Sequence, residues 1–308
     1  MAVVWSLAFA WAARVQLPAW VPALLALVAW AVYIGDRLLD ARAGLRTGQT
    51  ARLRDRHHFH HRHRRVLAPL AVISACAAAW IVFSLMPPGA RERNSVLAAA
   101  AVAYFSGVHS SRRLPRLVPP LLVPLLPPLL SKEFLAGLLF TAGCVLPALS
   151  RAAAGPGSTL WPLWTAAVYF AALAWLNCHA IERWESEATP PALEKRRVRS
   201  DFPEKHSSGA NPPIDSAGFC VRAKALTYQS WPTAQTSFPF ALLLAFAGVL
   251  LAPVLRSNQP RTAALVGAAA ASALLLALLD RLRSRLTPLA LRVAADLVLL
   301  TPLALYFR

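Results

Sequence analysis

Asp36 and Asp40 stand four residues apart in an apolar stretch, with Arg37 between them and Tyr33 one turn earlier. On a helix these positions share a face. A second acidic group, Glu182, Glu185 and Glu187, closes another apolar stretch with Arg183 among its members, and Asn177 precedes it by about one and a half turns. Carboxylates on two facing helices suit Mg²⁺, a hard cation that commonly bridges one or two carboxylates to substrate phosphates. Arg37, Lys132 and Arg183 suit phosphate oxygens directly. The expected site is therefore Mg²⁺ on Asp36, Asp40, Glu182 and Glu185, a diphosphate on Arg37, Lys132 and Arg183, and a pocket that includes Tyr33, Asn177 and Asp296. An acid inside a spanning helix costs about 2.5–3.5 kcal/mol on insertion scales, so an embedded one has a partner or a task. For Asp296 the partner would be Arg292, one turn earlier, and a structural ion pair there is an equal alternative. For Asp280-Arg281 the plainer reading is an interfacial acid followed by an anchoring Arg.

The elements that must carry these groups are helices in a membrane. The chain has 308 residues, 57% hydrophobic and only 15% charged, with a mean hydropathy of +0.47. A soluble domain carries roughly 25% charged residues, so a soluble or disordered chain is excluded. Nine apolar segments can be marked, at about 2–17, 19–36, 67–86, 94–109, 133–149, 161–182, 236–255, 262–280 and 288–307. Helices satisfy their own backbone in lipid, and no alternating strands of a barrel are seen. Ala10-Trp11-Ala12 resembles a signal-peptidase site, but no Lys or Arg precedes the apolar run, so it reads as a first spanning helix. Cys76, Cys144, Cys178 and Cys220 lie far apart and read as small apolar fillers. One all-α domain over 1–308 is expected.

Net charge is +18, from 32 Lys and Arg against 14 acids. No nucleic-acid motif accompanies it. The basic residues lie between apolar segments, so anionic lipid at the membrane surface is the expected partner. Of these, 24 fall in the loops at 41–66, 110–132, 183–231 and 280–292, and seven on the other side. The positive-inside rule then puts the N-terminus and these loops in the cytoplasm, in a cell (inner) membrane. Thirteen of the 14 acids share that face, Glu92 being the exception. The positive-inside rule does not account for this, because acids contribute little to it.

Nine helices with acidic ends to the second and sixth resemble the UbiA-type intramembrane prenyltransferases. That family carries NDxxDxxxD after its second helix; here the segment is Val32-Tyr33-Ile34-Gly35-Asp36-Arg37-Leu38-Leu39-Asp40. Asp36 and Asp40 match the last two acids, and Val32 and Tyr33 stand in place of Asn-Asp. The DxxxD-type second motif corresponds to Ile181-Glu182-Arg183-Trp184-Glu185-Ser186-Glu187, with acids at +3 and +5. Ser131-Lys132-Glu133, followed by Leu138 to Gly143, is similar to the family's segment before its fifth helix. The chain is also similar to a poorly characterised bacterial branch, with its Tyr-x-x-Asp-Arg-Leu-Leu-Asp and the Arg292 to Asp296 segment. The resemblance implies a UbiA-like bundle, Mg²⁺ as cofactor, and transfer of a prenyl group from an allylic prenyl diphosphate to a lipophilic or aromatic acceptor. Tyr33 and Trp184 would wall the allyl cation, or serve as interfacial anchors. The alternative is a non-catalytic relative or a transporter-like protein, although no internal repeat favours a transporter.

Three further features bear on the site. The run from His57 to Arg65 in the basic 41–66 loop suits anionic lipid or a lid better than a metal, because interleaved Arg repels cations. His109 and His179 read as hydrogen-bonded interfacial residues. Six Pro between Pro115 and Pro128 forbid a regular helix there, and the polar 186–230 loop is expected to be poorly ordered or to act as a lid.

Overall fold

The computed structural model describes residues 1–46, 55–109, 132–153, 160–187 and 237–306. Ten α-helices carry nearly all of them: α1 (Ala2–Ala12), α2 (Trp20–Arg46), α3 (Asp55–Arg62), α4 (Arg64–Ser84), α5 (Pro88–His109), α6 (Lys132–Ala152), α7 (Trp161–Glu187), α8 (Ser237–Arg256), α9 (Pro260–Leu282) and α10 (Pro288–Val298). No strand occurs among the described residues. The six-proline stretch and most of 186–230 lie outside them, and Ser186 and Glu187 belong to α7.

Seven segments are long and apolar enough to cross a membrane, on α2, α4, α6, α7, α8, α9 and the run from α10 through Leu305. The other two expected spans are helical but differ in kind. Eleven residues of α1 rise about 16 Å, half the hydrocarbon thickness. α5 opens with Arg91, Glu92, Arg93 and Asn94, which dilute its apolar character. Expected helix ends shift as well. α2 does not stop at Asp36 but continues past Asp40 to Arg46, because Arg, Leu and Ala are good helix formers whether or not they are apolar. Where it is described, the 41–66 segment is thus helical except for a turn at His63, as the end of α2, α3 and the start of α4. The last span breaks after Val298 and resumes as a 3-10 turn over Thr301–Leu305. Pro69, Pro147 and Pro253 sit inside α4, α6 and α8, as membrane helices tolerate when neighbours satisfy the freed carbonyls.

One apolar core joins α1, α6, α7, α8, α9 and α10. Trp5 stacks on Phe170 with ring centroids 3.9 Å apart, and its indole N–H donates to the Leu299 carbonyl at 2.8 Å. The hydroxyl of Ser272 reaches the Val298 carbonyl at 2.8 Å, which ties α9 to the broken end of α10. Between membrane helices, association depends on close packing rather than on apolarity, which lipid also supplies. Gly137 shows how: a Cβ there would lie 2.8 Å from the Trp175 backbone nitrogen, so only glycine lets α6 and α7 approach this closely. α2, α4 and α3 pack together beside this core. Trp80, Phe83, Val72 and Ile73 of α4 are exposed, as lipid-facing side chains would be.

Candidate functional site

The i, i+3 and i+4 spacing on α2 gathers Asp36, Arg37 and Asp40, and the bundle brings the start of α6 to them. The Arg37 guanidinium lies 3.7 Å from Asp36 and 3.8 Å from Asp40. Lys132 Nζ, from the first turn of α6, lies 4.0 Å from the same Asp40 carboxylate. Arg37 also sits over the Tyr33 ring, 5.4 Å from its centroid. Tyr33 in turn meets the buried His60 of α3 edge-on at 6.0 Å. Asp40 is therefore flanked by cations from two helices, and an aromatic ring backs one of them.

The neighbourhood widens from there. Tyr104 of α5 donates its hydroxyl to the Lys132 carbonyl at 3.2 Å and lies within electrostatic range of Asp36, Glu133 and Asp40. Asp296 of α10 is within range of Arg37. Glu133, Arg183 and Glu182 lie within electrostatic range of His179, which stacks on Trp175. Asn177 is 5% exposed, and its Oδ1 finds no hydrogen-bond partner among the described residues. Asp36, Arg37, Asp40, Lys132 and Asp296 thus belong to one charged region at one end of the bundle.

Other expected site residues are turned to different work. Glu185, expected as a metal ligand, accepts from Arg292 of α10 at 2.9 Å, so the partner proposed for Asp296 goes to α7 instead. Arg183 is held by Glu187 on its own helix at 2.8 Å, and Glu187 also faces Arg283 at 3.6 Å. Trp184 does not face the site: it is 4% exposed and donates its indole N–H to Asp280 at 2.7 Å. Asp280 is not the interfacial acid that its sequence position suggests. It is 6% exposed and also accepts from the Phe238 backbone N–H at 3.0 Å and from Arg283 at 3.3 Å, which caps α8 and ties it to α7 and α9. The only sign of this in the sequence is that Asp280-Arg281 repeats the pattern of Asp36-Arg37 and Glu182-Arg183. For Tyr104 no such signal exists.

Among the described residues no set of three or more His, Cys, Asp and Glu side chains is disposed to hold one metal ion. Neither Glu182, which lies within electrostatic range of His179, nor Glu185, which is drawn to Arg292 of α10, joins Asp36 and Asp40 in such a set. What fits is narrower. Asp36 and Asp40 offer the one or two carboxylates through which Mg²⁺ is usually held when phosphates and waters complete its shell. In α3 and its junction with α4, His61 pairs with Arg64, and His63 Nδ1 lies 2.9 Å from the Phe59 carbonyl. Arg62, Arg64 and Arg65 are exposed there.

Fold and site together define a multi-pass helical membrane protein with a mixed acidic and basic cluster at one end of its bundle. No protein-family model, curated protein or solved structure matches the chain.

Proposed function

We propose that the protein is an intramembrane prenyltransferase of UbiA type, moving a prenyl group from an allylic prenyl diphosphate to a lipophilic or aromatic acceptor. The observation that carries this reading is the Asp40 carboxylate flanked by Arg37 and Lys132, cations of two separate helices, at 3.8 and 4.0 Å. Such a group of charges beside an apolar bundle suits a ligand with a diphosphate head and a hydrocarbon tail. Arg37 and Lys132 would clamp the phosphate oxygens and exchange part of their pairing with Asp40 for the ligand. Mg²⁺, held by Asp36 and Asp40 and completed by phosphate and water, would supply Lewis-acid stabilisation of the departing diphosphate. The allylic C–O bond breaks with its electron pair leaving on the diphosphate. The acceptor atom would then bond the allylic carbon and give up its proton to the departed diphosphate. Tyr33 presents its ring face to Arg37, which suits stabilisation of a cation. The basic loops would rest on anionic lipid at the cytoplasmic face of the inner membrane.

A second reading is a binder of such diphosphates without turnover. The capture of Glu185 by Arg292 and of Arg183 by Glu187 favours it, because both remove groups from the expected machinery. Purified protein offered farnesyl diphosphate separates the two. Tighter binding with Mg²⁺ than with a chelator, together with prenylated product from a pool of lipophilic acceptors, supports the transferase. Metal-dependent binding without product supports the binder. Asp36→Asn removes one charge with little change of shape and should weaken the Mg²⁺-dependent binding at least about tenfold. Wild-type binding that is absent, or indifferent to metal, defeats both readings.

A further inference from the structure

At the opposite end of the bundle lies a second charged feature that the proposed transfer does not use. Arg261, in the first turn of α9, is nineteen residues before Asp280 on the same helix, so the two are about 28 Å apart. Arg14 stands just after α1, and the two arginines, both exposed, line one open surface pocket of about 470 Å³ together with Trp11, Gln16, Tyr306 and Leu7. Among the described residues no Asp or Glu lines it.

Arg14 is the residue that makes this cavity unusual. α1 ends in a Schellman turn: the Val15 N–H donates to the Ala10 carbonyl at 3.0 Å and the Arg14 N–H to the Trp11 carbonyl at 3.2 Å. The turn requires a left-handed residue at the position Arg14 occupies, and its φ is +56°. Glycine is the usual occupant because a Cβ is strained there. Arg14 is the one non-glycine residue with positive φ among the described residues. Arg14, an exposed residue, thus stands in a left-handed turn at the edge of the pocket it lines. Arg261 is fixed from the other side. One of its N–H groups donates to the Trp11 carbonyl at 3.3 Å, and its guanidinium lies 5.5 Å from the Trp11 ring centroid. A guanidinium carries five donors, so the rest of the fork remains to be used.

We infer that this cavity is a binding site for a phosphate group, supplied by the headgroup of an anionic phospholipid or by free phosphate. Two guanidinium forks match phosphate oxygens. The Gln16 amide and the Tyr306 hydroxyl add neutral donors, and Leu7 and Trp11 offer an apolar wall for glycerol or the first methylenes of an acyl chain. The volume suits a headgroup and not a whole lipid.

The test is protection from phenylglyoxal, read at individual arginines by peptide mass spectrometry on the full-length protein in detergent. Dioctanoyl-phosphatidylglycerol, dioctanoylglycerol and inorganic phosphate are the three probes. Phosphatidylglycerol should protect Arg14 and Arg261 but not Arg256, an exposed arginine at the end of α8 that does not line the cavity. Protection by phosphatidylglycerol alone identifies a lipid headgroup; protection by inorganic phosphate as well shows that free phosphate suffices. Arg261→Gln should raise the half-protecting concentration at Arg14 by about tenfold. Arg14→Gly should do the same at Arg261 while leaving the protein at least as heat-stable, because glycine relieves the strained turn. The inference is overturned if no probe protects, if dioctanoylglycerol protects as well as phosphatidylglycerol, if Arg256 is protected equally, or if the two substitutions leave protection unchanged.

Discussion

Asp280→Ala should be among the most damaging single substitutions in the protein. The carboxylate is 6% exposed and accepts from Trp184 at 2.7 Å, from the Phe238 N–H at 3.0 Å and from Arg283 at 3.3 Å. A hydrogen bond to a charged group contributes about 1.5–3 kcal/mol, and here its loss also strands the buried indole N–H of Trp184. The bond to Phe238 acts as an N-cap for α8 supplied by another helix, worth about 1 kcal/mol. The Arg283 side chain is 32% exposed, so screening reduces its share to roughly 0–1 kcal/mol. Together these give a loss of about 3–5 kcal/mol. Asp280→Asn keeps the shape and one acceptor but turns a donor toward one of the two N–H groups, so about half that loss is expected. Titration with SDS, followed by tryptophan emission, measures both. Trp184→Phe provides the cycle: the double variant should be more stable than additivity predicts by about 1.5 kcal/mol, since both changes remove one shared bond. A loss under about 1 kcal/mol for Asp280→Ala, or strict additivity with Trp184→Phe, would refute the reasoning.

Gly137→Ala places a methyl group 2.8 Å from the Trp175 nitrogen and 3.0 Å from its Cα. Backbone cannot swing aside, so the same titration should show a loss of about 1–3 kcal/mol. Gly143→Ala, with nothing within 4 Å of the added carbon, should be neutral or gain up to about 1 kcal/mol from helix propensity. Glu185→Gln leaves Arg292 without its charged partner, and the two side chains are only 12% and 18% exposed. It should cost about 2 kcal/mol of stability while leaving Mg²⁺-dependent farnesyl diphosphate binding unchanged. Loss of that binding at unchanged stability would return Glu185 to the ligand set.

Much of this protein is written locally. Lipid leaves the backbone no partner but itself, so a long apolar run means a helix whatever surrounds it, and of the nine runs marked in the sequence seven are helices long and apolar enough to cross a membrane. The association of Tyr33, Asp36, Arg37 and Asp40 is local too, because a helix stacks positions three and four apart without help from the rest of the chain. Helix ends are less legible. Hydropathy marks where water begins, whereas α2 keeps its hydrogen bonds well beyond Asp36. α1 stops at a Schellman turn inside a segment that still looks apolar, because the turn depends on one left-handed residue and Arg14 gives no compositional sign of being it. The pairing of distant charges belongs to the tertiary structure alone. Local spacing offers Arg292 the neighbouring Asp296, yet helix packing sets it on Glu185. Trp184 could serve as an interfacial anchor on its own helix, yet α9 brings Asp280 within 2.7 Å of its indole nitrogen. The sequence lists every charge, but a buried ion pair or hydrogen bond is decided over a few ångströms. Those distances depend on how closely the helices approach, which single residues such as Gly137 control where α6 meets α7.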